Sequence, residues 1–386
     1  MNLAKRIDNL PPYVFASLAK RIAERRARGD EVINFGMGDP DVAMPDPLVD
    51  ALCAAAHDPQ SHRYPNYFGM PALRQAMSGW YCDRFGVDLN PETEVLPLIG
   101  SKEGIAHVAL ALCDPGDRAL VPDPGYPVYR YSTLLAGGQV CDVPLLEANN
   151  FLPDFDALDR MPLDRVRVLW LNYPNNPTGA VADLAFFERA VAFARRHDIM
   201  ICHDNPYSEI CFDGYHAPSI LQVPGAREVA VEFNSLSKTY NMAGMRIGMI
   251  VGNAQVVEAL GRIKSNVDSG VPTVVQETAL AALTGDQSWL PERNAVYQRR
   301  RDRLVPALAA AGIPARLPQA SLYIWGKVPA GRTSKAFADQ LLDDAAMVVT
   351  AGANFGSCGE GYFRMSLTVP DDEVEMAVER LAGLHF

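Results

Sequence analysis

Five short runs rich in strand formers, residues 94–98, 119–122, 167–171, 199–203 and 229–233, each run into a polar or glycine-rich segment, with helical stretches between them. This alternation predicts βαβ units and a mainly parallel sheet, an α/β fold. In open α/β sheets ligands bind beyond the carboxyl ends of the strands, so these segments are expected to converge on one crevice. At 386 residues the chain exceeds the size at which one hydrophobic core stops growing, and about two domains are expected. Composition itself marks no boundary between them.

The segments after the strands carry the chemistry. Gly100-Ser101-Lys102 follows the first run and opens an apolar helical stretch, so its free backbone N–H groups and the positive end of the helix dipole suit a phosphate. It is not a Walker A loop, because Val95 stands where that motif has its upstream glycine. Gly36-Met37-Gly38 likewise has Asp41 where a dinucleotide fingerprint needs a third glycine. Pro124-Gly125-Tyr126-Pro127 and Asn175-Asn176-Pro177-Thr178-Gly179 are turn signals after the second and third runs. His203-Asp204-Asn205-Pro206-Tyr207 ends the fourth; His203 reads as a satisfied core histidine, and nothing has metal-ligand spacing. After the fifth comes Ser235-Leu236-Ser237-Lys238, with Arg246 eight positions beyond the lysine. Two hydroxyls and an arginine can hold a phosphate while a lysine on a loop forms a Schiff base with an aldehyde.

Taken in this order, the motifs resemble the class I/II aminotransferases of pyridoxal 5'-phosphate (PLP) fold type I over nearly the whole chain. The resemblance implies a mainly parallel large domain over residues 47–283, a smaller α/β domain over 284–386, and an arm with part of the small domain over 1–46. It implies PLP as cofactor, with Ser101, Lys102, Ser235, Ser237 and Arg246 around its phosphate and Tyr126 stacked on its ring. Asn176 and Tyr207 would meet the phenolic oxygen, Asp204 the ring nitrogen, and Lys238 would carry the covalent link and move the proton. Gly38, Asn176 and Arg364 match substrate-binding positions, Arg364 as the planar fork for an α-carboxylate. Tyr64 matches a tyrosine that reaches the neighbouring subunit's phosphate, which implies a homodimer with shared active sites. The expected substrates are an amino acid and a 2-oxo acid.

Further strings, at residues 34–40, 99–107, 218–225, 265–270 and 361–370, resemble the LL-diaminopimelate branch, with 2-oxoglutarate as acceptor. Alanine and other glutamate-linked aminotransferases share many of them, and a C–S lyase on the same fold would keep Lys238, Asp204 and Arg364. A substrate with a distal amino acid head needs polar groups far from the lysine, and Asn266, Asp268 and Ser269 are candidates. A formal net charge of −11 argues against nucleic acid or an anionic membrane as partner. Residues 1–8 are polar and mixed rather than a leader, and no apolar run approaches the roughly 20 residues of a membrane span. Seven scattered cysteines without a C-x-x-C pair fit reduced thiols in the cytoplasm.

Overall fold

The computed structural model describes residues 4–8, 10 and 14–386. Residues 1–3, 9 and 11–13 of the expected arm, and with them part of the polar start, lie outside the described residues.

Seven strands make the central sheet, in the order Val95–Leu98, Gly248–Gly252, Ala230–Ser235, Met200–Asp204, Val166–Asn172, Arg118–Asp123, Gln139–Pro144. The last five are mutually parallel, whereas Gly248–Gly252 runs antiparallel between its two neighbours. All five expected strands are present within a residue or two; Val229 belongs instead to the short Ala226–Val229 helix. Two strands of this sheet escaped the sequence reading. Gln139–Pro144 is an edge strand that exposes Gln139, Asp142 and Pro144, and Gly248–Gly252 is bounded by glycines that read as turns.

Val166–Asn172 is buried except at Arg167, an apolar run of the kind a sheet covered on both faces requires. Helices Pro71–Phe85, Leu184–His197 and Thr273–Thr284 pack on one face; Ser101–Leu112, Pro127–Leu135 and Ala254–Val267 pack on the other. Leu184–His197 starts where the Asp183 carboxylate accepts the Phe186 N–H at 2.8 Å, and stops where Asp198 turns to φ 54°. Its inner face carries Phe187 and Phe193, both fully buried, each stabilising by about 1.5–3 kcal/mol.

A second core lies around the antiparallel strands Thr350–Ala351, Tyr362–Ser366 and Tyr323–Lys327 and helices Leu290–Ala310, Ser334–Ala345 and Asp371–Ala382. Ile33–Asn34 pairs in parallel with Met347–Val348, and Phe35 is buried in this same core. Beginning and end of the chain therefore pack together beside the large sheet. None of the seven cysteines forms a disulfide, and no described helix is long and apolar enough to cross a membrane.

Candidate active site

The carboxyl ends of the parallel strands open into a cavity of about 450 Å3. Strand register sets Asn172 beside Asp204, and Asp204 beside Phe233. Gly38, Ser101, Lys102, Tyr126, Asn176, Asp204, Tyr207, Ser235, Ser237, Lys238, Arg246 and Arg364, all singled out from the sequence, line this one cavity. Tyr64 does not, and it is 88% exposed.

One end of the cavity is built for an anion. Helix Ser101–Leu112 starts there, after Gly100 at φ 73°, and a Cβ on Gly100 would come within 2.3 Å of Arg246 Nη2. Only glycine lets the guanidinium lie against the helix start. Ser235 caps a single helical turn, Leu236–Thr239, its hydroxyl accepting the Ser237 N–H at 3.3 Å; Lys238 thus sits on this turn rather than on the expected loop. Burial, and then the charge of Arg246, lower the pKa of Lys102. Helix N–H groups, three serines (Ser101, Ser235 and Ser237) and two cations together suit a phosphate dianion.

Asp204, also in the cavity lining, is held by two contacts the sequence did not announce. Tyr129 Oη donates to Asp204 Oδ2 at 2.7 Å, and Asn172 Nδ2 donates to the Asp204 carbonyl at 2.7 Å. Asp204 Oδ1 is buried and has no hydrogen-bond partner among the described residues. Burial pushes the carboxyl up to about 6, against the Tyr129 hydrogen bond and the charge of His203. A buried, half-satisfied carboxylate facing a cavity is suited to a cationic donor from a ligand. His203 itself is fully buried between Glu232 Oε2 at 2.9 Å and the Tyr173 carbonyl at 3.1 Å, a satisfied core residue outside the cavity lining.

Lys238 lines the same cavity, its Nζ donating to the Gly38 carbonyl at 2.7 Å. Burial draws its pKa down to about 8; Asp39 opposes this, while Arg246 and Arg364 reinforce it. Such an amine is a nucleophile and base near neutral pH. Arg364 comes from the second core: Nη1 donates to Asn176 Oδ1 at 2.8 Å and Nη2 to the Gly36 carbonyl at 2.7 Å. Tyr207 Oη lies 3.1 Å from Tyr323 Oη, a cavity residue that reads in sequence as one more apolar strand position.

The polar string after residue 264 makes local contacts. Asn266 Nδ2 donates to the Arg262 carbonyl, Asp268 binds Lys264 Nζ and the Gly270 N–H, and neither these two nor Ser269 lines the cavity of its own chain. Glu103, His107 and Asp268 converge closely enough to hold a metal ion. The buried Lys264 ammonium already lies 2.9 Å from Glu103 and 3.0 Å from Asp268, so the chain supplies this cluster's cation itself.

A covered α/β sheet with a lysine, an anion cradle and a buried carboxylate converging at its strand ends matches what sequence comparison finds: residues 30–381 match the family "Aminotransferase class I and II", and the chain belongs to that family. It is an aminotransferase. Curated relatives named LL-diaminopimelate aminotransferase include one from Dehalococcoides mccartyi, 58% identical over 383 residues, which cover 99% of both chains. Another, from Moorella thermoacetica, is 53% identical and covers 99% of this chain and 98% of the relative. Among solved structures, substrate-bound BacF from Bacillus subtilis superposes with a TM-score of 0.94 at 34% identity, covering 99% of this chain and 98% of its own. A probable N-succinyldiaminopimelate aminotransferase from Thermus thermophilus gives 0.90 at 35% identity, covering 96% and 100%.

Proposed function

We propose that this aminotransferase uses PLP to move an amino group from LL-diaminopimelate to 2-oxoglutarate, or from glutamate to tetrahydrodipicolinate in reverse, in lysine biosynthesis. The observation that carries the cofactor reading is Asp204 Oδ1, a buried carboxylate oxygen without a partner among the described residues, opening on the same cavity as Lys238 and the anion cradle. PLP, when bound, supplies an aromatic ring that accepts the electron pair of the substrate's α-carbon. The chain supplies the rest. Ser101, Lys102, Ser235, Ser237 and Arg246 hold the phosphate, and Asp204 pairs with the protonated ring nitrogen. Tyr126 covers the ring face, while Asn176 and Tyr207 meet the phenolic oxygen. Lys238, near neutral by burial, takes the α-proton and returns it. Gly38, Asn176 and Arg364 orient the α-carboxylate.

The substrate reading is supported by the curated relatives named for LL-diaminopimelate, which match this chain from end to end. It is tested by kcat/KM for LL-diaminopimelate against alanine, aspartate and aromatic amino acids at matched 2-oxoglutarate. We expect LL-diaminopimelate to exceed alanine by more than about a hundredfold, because polar groups that meet the distal head are left unpaired by alanine. A preference for alanine would move the assignment to the glutamate-linked alanine branch.

The same reading divides the chain into a large domain over 47–283 and a small one formed by 1–46 with 284–386. It also makes the enzyme a homodimer. Tyr64, Tyr67 and Phe68 are 88%, 48% and 46% exposed, an aromatic group on a segment fitted to a partner subunit, where Tyr64 reaches the partner's phosphate site. Unpaired cysteines fit a cytoplasmic enzyme.

A further inference from the structure

Tyr323 touches three of the groups to which this function assigns work. It opens the Tyr323–Lys327 strand, opposite Ser366, and is 3% exposed. Its hydroxyl lies 3.1 Å from that of Tyr207, with the two rings edge to face at 5.7 Å. The Arg364 guanidinium lies over its ring face, 4.3 Å from the centroid. Its hydroxyl also fills the space that a side chain on Gly38 would need, since a Cβ there would lie 2.1 Å from Oη and 2.6 Å from Cζ. Gly38 has no left-handed backbone to explain its glycine; the explanation is Tyr323.

We propose that Tyr323 is a positioning residue with two parts: its hydroxyl sets the hydrogen-bonding strength of Tyr207, and its ring sets the Arg364 fork that captures the substrate carboxylate. The inference rests on the PLP-dependent reading above. Two phenols in contact share one hydrogen bond, so one donates and the other keeps its proton for a different acceptor. When Tyr323 donates to Tyr207, the Tyr207 proton is free to turn toward the cofactor's phenolic oxygen, and the bond Tyr207 accepts polarises its O–H and strengthens the bond it donates. The ring of Tyr323 acts separately. It offers its negative face to Arg364, fixing the plane of the fork that receives the carboxylate. Its edge against Gly38 keeps the Gly38 carbonyl within reach of Lys238 Nζ, at 2.7 Å. Hydroxyl and ring therefore control different observables.

Two variants separate them in the PLP-loaded enzyme. Tyr323→Phe keeps the ring under Arg364 and removes only the hydroxyl. With Tyr207 a weaker donor, the phenolic oxygen keeps more negative charge, and the proton it shares with the Lys238 nitrogen is held to higher pH. The pH midpoint of the cofactor's absorbance change is expected to rise by about half a unit, with KM for amino donor near the parental value. Tyr323→Leu removes the ring as well and is expected to raise that KM about tenfold. An unchanged midpoint in Tyr323→Phe, or an unchanged KM in Tyr323→Leu, overturns the assignment. A parental protein that shows no pH-dependent cofactor band at all overturns the functional reading instead, so the two failures are distinguishable.

Discussion

Lys238→Ala is expected to lower turnover about ten-thousand-fold, the upper end of what a positioned proton-transfer group contributes. The other lysine lining the cavity, Lys102, sits at the start of helix Ser101–Leu112 near Arg246, whereas Lys238 Nζ donates to the Gly38 carbonyl. The variant is expected to bind PLP without a borohydride-reducible link, because the nucleophile is gone. The parental protein, freed of cofactor, adds a pH signature. Burial lowers the Lys238 pKa to about 8, so the amine is charged and inert below that pH and neutral above it. The rate of covalent PLP capture is therefore expected to rise with pH and level off above about 8, where an ordinary surface lysine would still be protonated. Undiminished turnover in Lys238→Ala, or capture that keeps rising steeply to pH 10, contradicts this role.

Asp204→Asn is expected to reduce kcat about a hundredfold while leaving substrate KM within a few-fold. The amide keeps the size of the carboxylate and can still accept from Tyr129, now 2.7 Å from Asp204 Oδ2, so the site keeps its shape. In the proposed role it would lose a charge-assisted bond to the ring nitrogen, stabilising by roughly 1.5–3 kcal/mol, which would fall on the chemical step rather than on binding. Steady-state kinetics on the two proteins, loaded with equal cofactor, check this. A large KM increase with unchanged kcat would make Asp204 a structural residue.

The site was legible where chemistry coincides with strand punctuation. Asp204 directly follows an apolar run, and Asn176 and Lys238 lie in the turn segments just after theirs, where a charged or amide group has few reasons to be present other than a ligand. Residues inside regular elements gave no such signal. Tyr129 lies within Pro127–Leu135, which reads as an ordinary amphipathic helix, yet its hydroxyl holds Asp204. Tyr323 reads as an apolar strand residue, and its role depends on Arg364 and Gly38, which lie far away in sequence. Asn172 could have been found, as the one amide closing an otherwise apolar strand. Asp268, a candidate for the distal head of the substrate, shows the other side of this: Lys264, four residues earlier on the same helix face, pairs with it, a contact that the spacing alone could have suggested. The fold was legible in its parallel strands, because burial on both faces demands apolar runs. It was not legible in Gln139–Pro144, an edge strand with alternating exposure, or in the pairing of Ile33–Asn34 with Met347–Val348, which no local pattern encodes.

The most direct test of the account is a single half-reaction. PLP-loaded enzyme is mixed with LL-diaminopimelate in the absence of any 2-oxo acid, and the cofactor is then extracted and quantified. The account predicts one equivalent of pyridoxamine phosphate per subunit, returned to PLP on addition of 2-oxoglutarate. Cofactor recovered as PLP with no amine form, whether the donor is untouched or cleaved, would contradict it.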